Sequence, residues 1–270
     1  MSQSQYVQSS AVPPQVAGGQ EALRARDIVK RFGAVTALNG VSLRLQKGEM
    51  LGILGDNGAG KSTLIKILTG FQAPTSGQLT INGEDVALKS VDHARELGIE
   101  CVYQDLALVP GLSIYHNMFL NREPLRAGPF RLLDNAQMKR RAAEALEDIG
   151  VNIPDVNEEV ARLSGGQRQA VAIARAVYSK AKILLLDEPL AAMGARESGL
   201  ILDLIDRLKK RADLSLIMIA HNYAQTLEVA DRIMMFQHGE VTFERASAET
   251  SVPELLDVVR QNYKVVRGGA

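Results

Sequence analysis

Tryptophan is absent from the 270 residues, cysteine occurs once, at Cys101, and there are four histidines. One thiol cannot close an internal disulfide, and a reducing compartment fits that usage. His93, His116, His221 and His238 stand at no metal-ligand spacing, so a zinc site is not expected. Charge of one sign is missing as well: 31 basic side chains balance 31 acidic ones. That balance gives no long-range field to collect nucleic acid or an acidic membrane, and such a partner has to be met through a local patch. No run approaches the roughly 18 apolar residues of a spanning helix, the best being Ile183 to Leu186 and Leu214 to Ala220. The start of the chain has neither a basic region nor an apolar one, which excludes a secretory signal; residues 1–21 read as a flexible lead rich in Ser, Gln, Pro and Gly.

What is present is an apolar share of 46% beside 23% charged residues, ordinary for a globular protein with a sizeable core. From Ala22 strand-like and helix-like segments alternate, the pattern of an α/β sheet. Val41, Leu43 and Leu45 alternate with polar residues as in a half-buried strand. Met50 to Leu54 follows as a short apolar strand, and a Gly-rich loop leads into a helix over Lys61 to Thr69. Residues 105–162 read as a helical subdomain, broken by prolines and holding an amphipathic helix from Met138 to Ile149. The α/β rhythm then resumes: helix Gln167 to Ser179, strand Lys182 to Asp187, helix Arg196 to Arg211, strand Leu214 to Ala220, helix Asn222 to Ala230 and a hairpin through His238 and Gly239. The expected domain runs over 22–248, followed by a C-terminal helix and tail over 249–270.

Gly55-Asp56-Asn57-Gly58-Ala59-Gly60-Lys61-Ser62, with Thr63 next, satisfies the phosphate-loop pattern between a strand and a helix. Glycines let the backbone wrap tightly enough to aim N–H groups at phosphate oxygens, and the following helix adds the positive end of its dipole. Lys61 is then placed for the β- and γ-phosphates and the Ser62 hydroxyl for Mg²⁺. The apolar strand Ile183 to Leu186 ends in Asp187 and Glu188. Asp187 suits the Mg²⁺ shell, and Glu188, one residue on, is the candidate general base that polarises the attacking water. Leu163-Ser164-Gly165-Gly166-Gln167 is a second anion site, a serine hydroxyl and two glycine N–H groups at a helix start. A chain with one phosphate loop has most use for a second such site if it completes the nucleotide site of another copy.

In this set of motifs the sequence resembles the ATP-binding subunits of ABC transporters, from about Leu23 to Val241. The resemblance implies an α/β P-loop NTPase cassette: a mixed sheet core with an antiparallel β subdomain and a helical subdomain. It also implies that Phe32 stacks on adenine, that Gln104 contacts Mg²⁺ and the attacking water, and that His221 hydrogen-bonds the γ-phosphate. Gly98 to Leu108, Asn117 to Glu123 and Glu188 to Gly194 look like the monosaccharide-import branch, the ribose, xylose and fructose type. Most of that branch fuses two cassettes, whereas this chain has one, as in the fructose type. Gly194 stands where many ABC proteins carry aspartate, and Leu190 where threonine is common.

The implied protein is an ATPase that binds ATP and Mg²⁺ and powers sugar import as a homodimer, or paired with another cassette. It would work beneath membrane-spanning permease subunits on the cytoplasmic side of the inner membrane, served indirectly by a substrate-binding protein and with no nucleic-acid partner. An importer of another solute, a soluble ABC ATPase acting on nucleic acid or ribosomes, and a non-hydrolysing switch are the alternatives. The absence of a second cassette, a long coiled coil or a basic arm counts against the soluble ATPase, and Glu188 with His221 against the switch.

Overall fold

Strands buried at nearly every position, not alternately, are covered on both faces. The computed structural model, which describes residues 20–268 apart from 129 and 212, has four such strands side by side. They are β3 (Met50–Gly55), β7 (Ile183–Asp187), β8 (Ser215–Ala220) and β9 (Arg232–Gln237), and β6 (Ile99–Val102) extends the row. With the edge strand β10 (Glu240–Ala246) the sheet order is β10-β9-β3-β8-β7-β6, parallel except for the β9–β10 hairpin. The expected flexible lead lies outside the described residues up to residue 19.

Successive side chains of these strands enter two different cores. Leu51, Ile53, Ile183, Leu185, Ile217 and Ile219 point to one, together with α1 (Lys61–Leu68) and the second sheet. Met50, Leu54, Leu184, Leu186, Leu216 and Met218 point to the other, where the helices pack: α3 (Ile114–Phe119), α4 (Asn135–Asp148), α5 (Gly165–Tyr178), α6 (Ala195–Lys209) and α7 (Tyr223–Val229). The second sheet is antiparallel, in order β2-β1-β4-β5, built from β1 (Glu21–Phe32), β2 (Val35–Gln46), β4 (Ser76–Ile81) and β5 (Glu84–Val86). The expected fold class, a mixed sheet with an antiparallel β unit and a helical unit, is therefore the fold observed. α2 (Val91–Glu96) precedes β6, and α8 (Val252–Gly268) ends the described chain, within the 249–270 expected for a C-terminal helix and tail.

One buried cation ties the two sheets together. Arg232 on β9 donates to Glu49 at 2.7 and 3.1 Å, to the Arg44 carbonyl of β2 at 2.6 Å, and to Glu244 of β10. Two carboxylates raise its pKa against the burial that opposes the charge. Removing the cation leaves both acids poorly solvated, so Arg232→Met is expected to lower unfolding stability by about 3 to 5 kcal/mol. Chemical denaturation followed by far-UV circular dichroism measures this; a loss under about 1 kcal/mol would show the cluster to be weakly coupled to folding.

Candidate active site

Parallel strands deliver their C-terminal ends to one edge, and the candidate residues gather there. Along the order β3-β8-β7-β6 the edge carries, in turn, the loop that starts at Gly55, then His221, then Asp187 with Glu188, then Gln104. The register supports this alignment: Leu54 pairs with Ala220, Ile219 with Asp187, and Val102 with Leu186.

The loop's glycines do different work. A Cβ at Gly55 would lie 2.3 Å from the Phe236 carbonyl oxygen, and one at Gly60 would lie 2.7 Å from the Ala37 carbonyl oxygen. Both have positive φ, 149° and 104°. These two positions therefore let β9 and β2 touch the loop backbone, whereas Gly58 has open space around it. Gly239 N–H donates to the Ala59 carbonyl at 3.0 Å and Asn39 N–H to the Gly239 carbonyl at 2.8 Å, fastening the loop to the β9–β10 turn and to β2. No side chain caps the start of α1 at Gly60. An uncapped helix start beneath an open glycine fits a phosphate group.

Lys61 is buried, and its Nζ donates to the carbonyls of Gly55 at 2.6 Å and Asp56 at 2.8 Å. Burial lowers its pKa, while Glu188, Asp56 and Asp187 hold it up. Asp187 shows the reverse: burial and the neighbouring Glu188 raise its carboxyl, and Lys61 and His221 pull it back. Glu188 adopts a left-handed backbone, φ 51°, with its N–H bonded to the Ile219 carbonyl at 2.9 Å. A non-glycine residue pays about 1 kcal/mol or more for that conformation. It turns the carboxylate toward His221, Oε1 to Nε2 2.5 Å. Ser62, Asn57 and Gln104 are exposed, Thr63 half-buried.

Phe32 ends β1 at a tight turn with Gly33, and its ring is half exposed, with Lys30 Nζ 5.2 Å from the centroid. An aromatic left open to solvent is not a core residue. The turn leads into β2, whose Ala37 and Leu38 lie against Gly60 of the phosphate loop.

Ser164 to Gln167 form a separate site. Ser164 accepts the Gln167 N–H at 3.3 Å, and its own N–H donates to Gln167 Oε1 at 2.9 Å, a reciprocal capping box. The helix consequently begins at Gly165, two residues before the sequence reading of Gln167. Hydrogen bonds of Ser164, Gly166 and Gln167 stay in this turn or reach Glu197 of α6, whose Oε1 accepts the Gly166 N–H at 3.4 Å. Those bonds, with the Ser164 hydroxyl, hold the Glu197 carboxyl below its ordinary value. A carboxylate thus rests where the two glycines offer N–H groups to an anion, and none of these bonds reaches the phosphate loop.

Two contributors were not found from sequence. Glu197 is one. Arg175 on α5 is the other, donating to the carbonyls of Leu106 at 2.9 Å and Ala107 at 2.9 Å and so tying the segment after Gln104 to the helix that Ser164 caps. Leu190 packs on the helical core, and Gly194 is the uncapped start of α6 with open space around it.

Comparison with known proteins follows the same lines. A family model described as ABC transporter matches residues 38–191. The chain is 48% identical to the xylose/arabinose import ATP-binding protein of Sulfolobus acidocaldarius, over 88% of this chain and 93% of that one. It is 45% identical to the fructose import ATP-binding protein of Rhizobium meliloti, over 80% and 85%. The galactofuranose transporter ATP-binding protein of Escherichia coli is 40% identical over 89% of this chain, which spans 47% of that protein. Among solved structures, an ATP-binding cassette of an ABC transporter in its ADP conformation superposes with a TM-score of 0.75 at 26% identity, covering 88% of this chain and 98% of that one. A dimeric cassette in a post-hydrolysis state bound to ADP and Pi gives 0.69 at 26%, covering 83% and 98%.

Proposed function

The chain belongs to the ABC transporter family, and from that premise we propose that it is the ATP-hydrolysing subunit of a sugar importer, acting as a pair of cassettes. The observation that carries this reading is the shared edge: four neighbouring parallel strands end at the phosphate loop, His221, Asp187 with Glu188, and Gln104.

Lys61 holds phosphate oxygens as a buried cation and Phe32 offers its exposed ring face to the adenine, a contact that tolerates other bases. Ser62, Asp187 and Gln104 are the residues that would hold Mg²⁺, which supplies neutralisation of phosphate charge when bound. Glu188 accepts the proton of the attacking water, and His221, 2.5 Å away, keeps its carboxylate aimed. Ser164, Gly165 and Gly166 then act on the nucleotide of a second copy, displacing the Glu197 carboxylate that rests on Gly166 here. Pairing closes around ATP and loosens after hydrolysis, a two-state cycle that a membrane partner can use.

The partners that fit are membrane-spanning permease subunits, received on the cytoplasmic side by the helical subdomain, which Arg175 ties to the segment after Gln104. Sugar specificity belongs to other subunits. Reconstitution with the permease and a substrate-binding protein tests the whole reading. ATP hydrolysis should rise several-fold with a monosaccharide such as xylose or fructose and stay flat with amino acids; stimulation by amino acids alone would replace sugar by another solute.

A further inference from the structure

The segment between α3 and α4 folds as a small antiparallel hairpin. Leu125 bridges Leu133, Arg126 N–H donates to the Leu132 carbonyl at 2.8 Å, and Asp134 N–H to the Pro124 carbonyl at 2.9 Å. It carries a dense group of exposed apolar side chains: Phe130 is 83% exposed and Leu132 60%, with Leu125 and Leu133 beside them. Folding alone gives no reason to leave these in water.

The charge around them is one-sided. From Arg122 to Arg141 six basic residues meet two acidic ones, and with Glu100 and Glu144, which pair with two of the six, the surplus is two in a chain whose formal net charge is zero. Both acids are engaged locally, Glu123 accepting the Asn121 N–H and Asp134 capping α4 through the Gln137 N–H. Arg122 is held by Glu100 at 2.8 Å, and Arg140 lies 3.9 Å from Glu144. Lys139 lies over the Tyr115 ring and Arg141 donates to the Tyr178 hydroxyl, so both keep their charge. Arg126 and Arg131, in and beside the apolar tip, form no ion pair among the described residues.

We propose that this hairpin is a membrane-surface anchor, in which Phe130 and Leu132 enter the interface of an anionic bilayer while Arg126 and Arg131 pair with lipid phosphates. Apolar side chains flanked by guanidinium groups suit the headgroup boundary, where one end is dry and the other charged. Each arginine near an anionic surface strengthens binding by roughly fivefold. A partner helix would instead need a groove, and a ring exposed on nearly every side lines none. The contact is direct to lipid and goes beyond docking through a permease.

Vesicle flotation of the full-length chain, alone, tests it. The unmodified protein should float with phosphatidylcholine vesicles containing phosphatidylglycerol, be released by high salt, and stay behind with phosphatidylcholine alone. Phe130→Ser with Leu132→Ser, and separately Arg126→Gln with Arg131→Gln, should each weaken binding about tenfold or more. Basal ATPase of both variants should match the parent, which separates lost anchoring from misfolding. Failure of the parent to float, or flotation untouched by either pair, overturns the proposal. So does lack of flotation combined with impaired permease binding in detergent, which would make the hairpin a protein contact. The sugar reading can fail without affecting this result, and the reverse also holds.

Discussion

Glu188→Gln is expected to lower ATP turnover by about 10² or more while ATP binding persists. Glutamine keeps the size of the side chain and can still hydrogen-bond His221, but it cannot accept a proton from water. The change also removes a negative charge beside Asp187, a charge that now raises the Asp187 carboxyl and helps keep Lys61 protonated. The Asp187 shift therefore shrinks, which makes Asp187 a better anion, while the lowering of Lys61 by burial deepens. Retained nucleotide binding with lost hydrolysis is the signature of a missing base, whereas joint loss of both would indicate a collapsed loop. Phosphate release under saturating ATP, set beside nucleotide binding measured by fluorescence, separates the two. Turnover within a few-fold of the parent would remove Glu188 from the role.

The second large effect concerns sharing. Lys61→Ala removes the cation held between the Gly55 and Asp56 carbonyls, and Ser164→Arg removes the cap of α5 and blocks the glycine donors. Each variant alone should be nearly inactive. Mixed in equal amounts, half of the pairs are heterodimers with one intact site out of two, so activity should recover to about a quarter of the parent. The capping loss costs about 1 kcal/mol, too little to unfold the chain. No recovery on mixing would mean that the two motifs do not serve one site across an interface.

Much of this site was legible because phosphate chemistry constrains residue type and spacing together. Gly55 to Ser62 and the apolar strand ending at Asp187 announce themselves, and the parallel register then carries Gln104 and His221 to the same edge. The capping box was readable too, since Ser164 and Gln167 stand at the Ser-x-x-Gln spacing, yet the reading began the helix two residues late. β1 was harder: its pairing with β2 shifts register between Ala25 and Ile28, and Asp27 takes φ 50°, so the alternation of two is broken. Glu197 meets Gly166 across 31 residues, and Arg175 meets Leu106 and Ala107 through their carbonyls. A backbone acceptor leaves no trace in residue type, and a long-range contact leaves none in local spacing.

Glu197 also gives the two-chain account a physical starting state. In the single chain its carboxylate accepts the Gly166 N–H, and under the proposed pairing an anion on the partner's nucleotide would compete for that donor. ATP, with its γ-phosphate intact, is such an anion, and ADP lacks the group that would reach across. The most direct test is the mass of Glu188→Gln in solution with nucleotide and Mg²⁺, by sedimentation velocity. The account predicts a dimer holding two ATP, and a monomer with ADP. A monomer binding one ATP at saturation would contradict it.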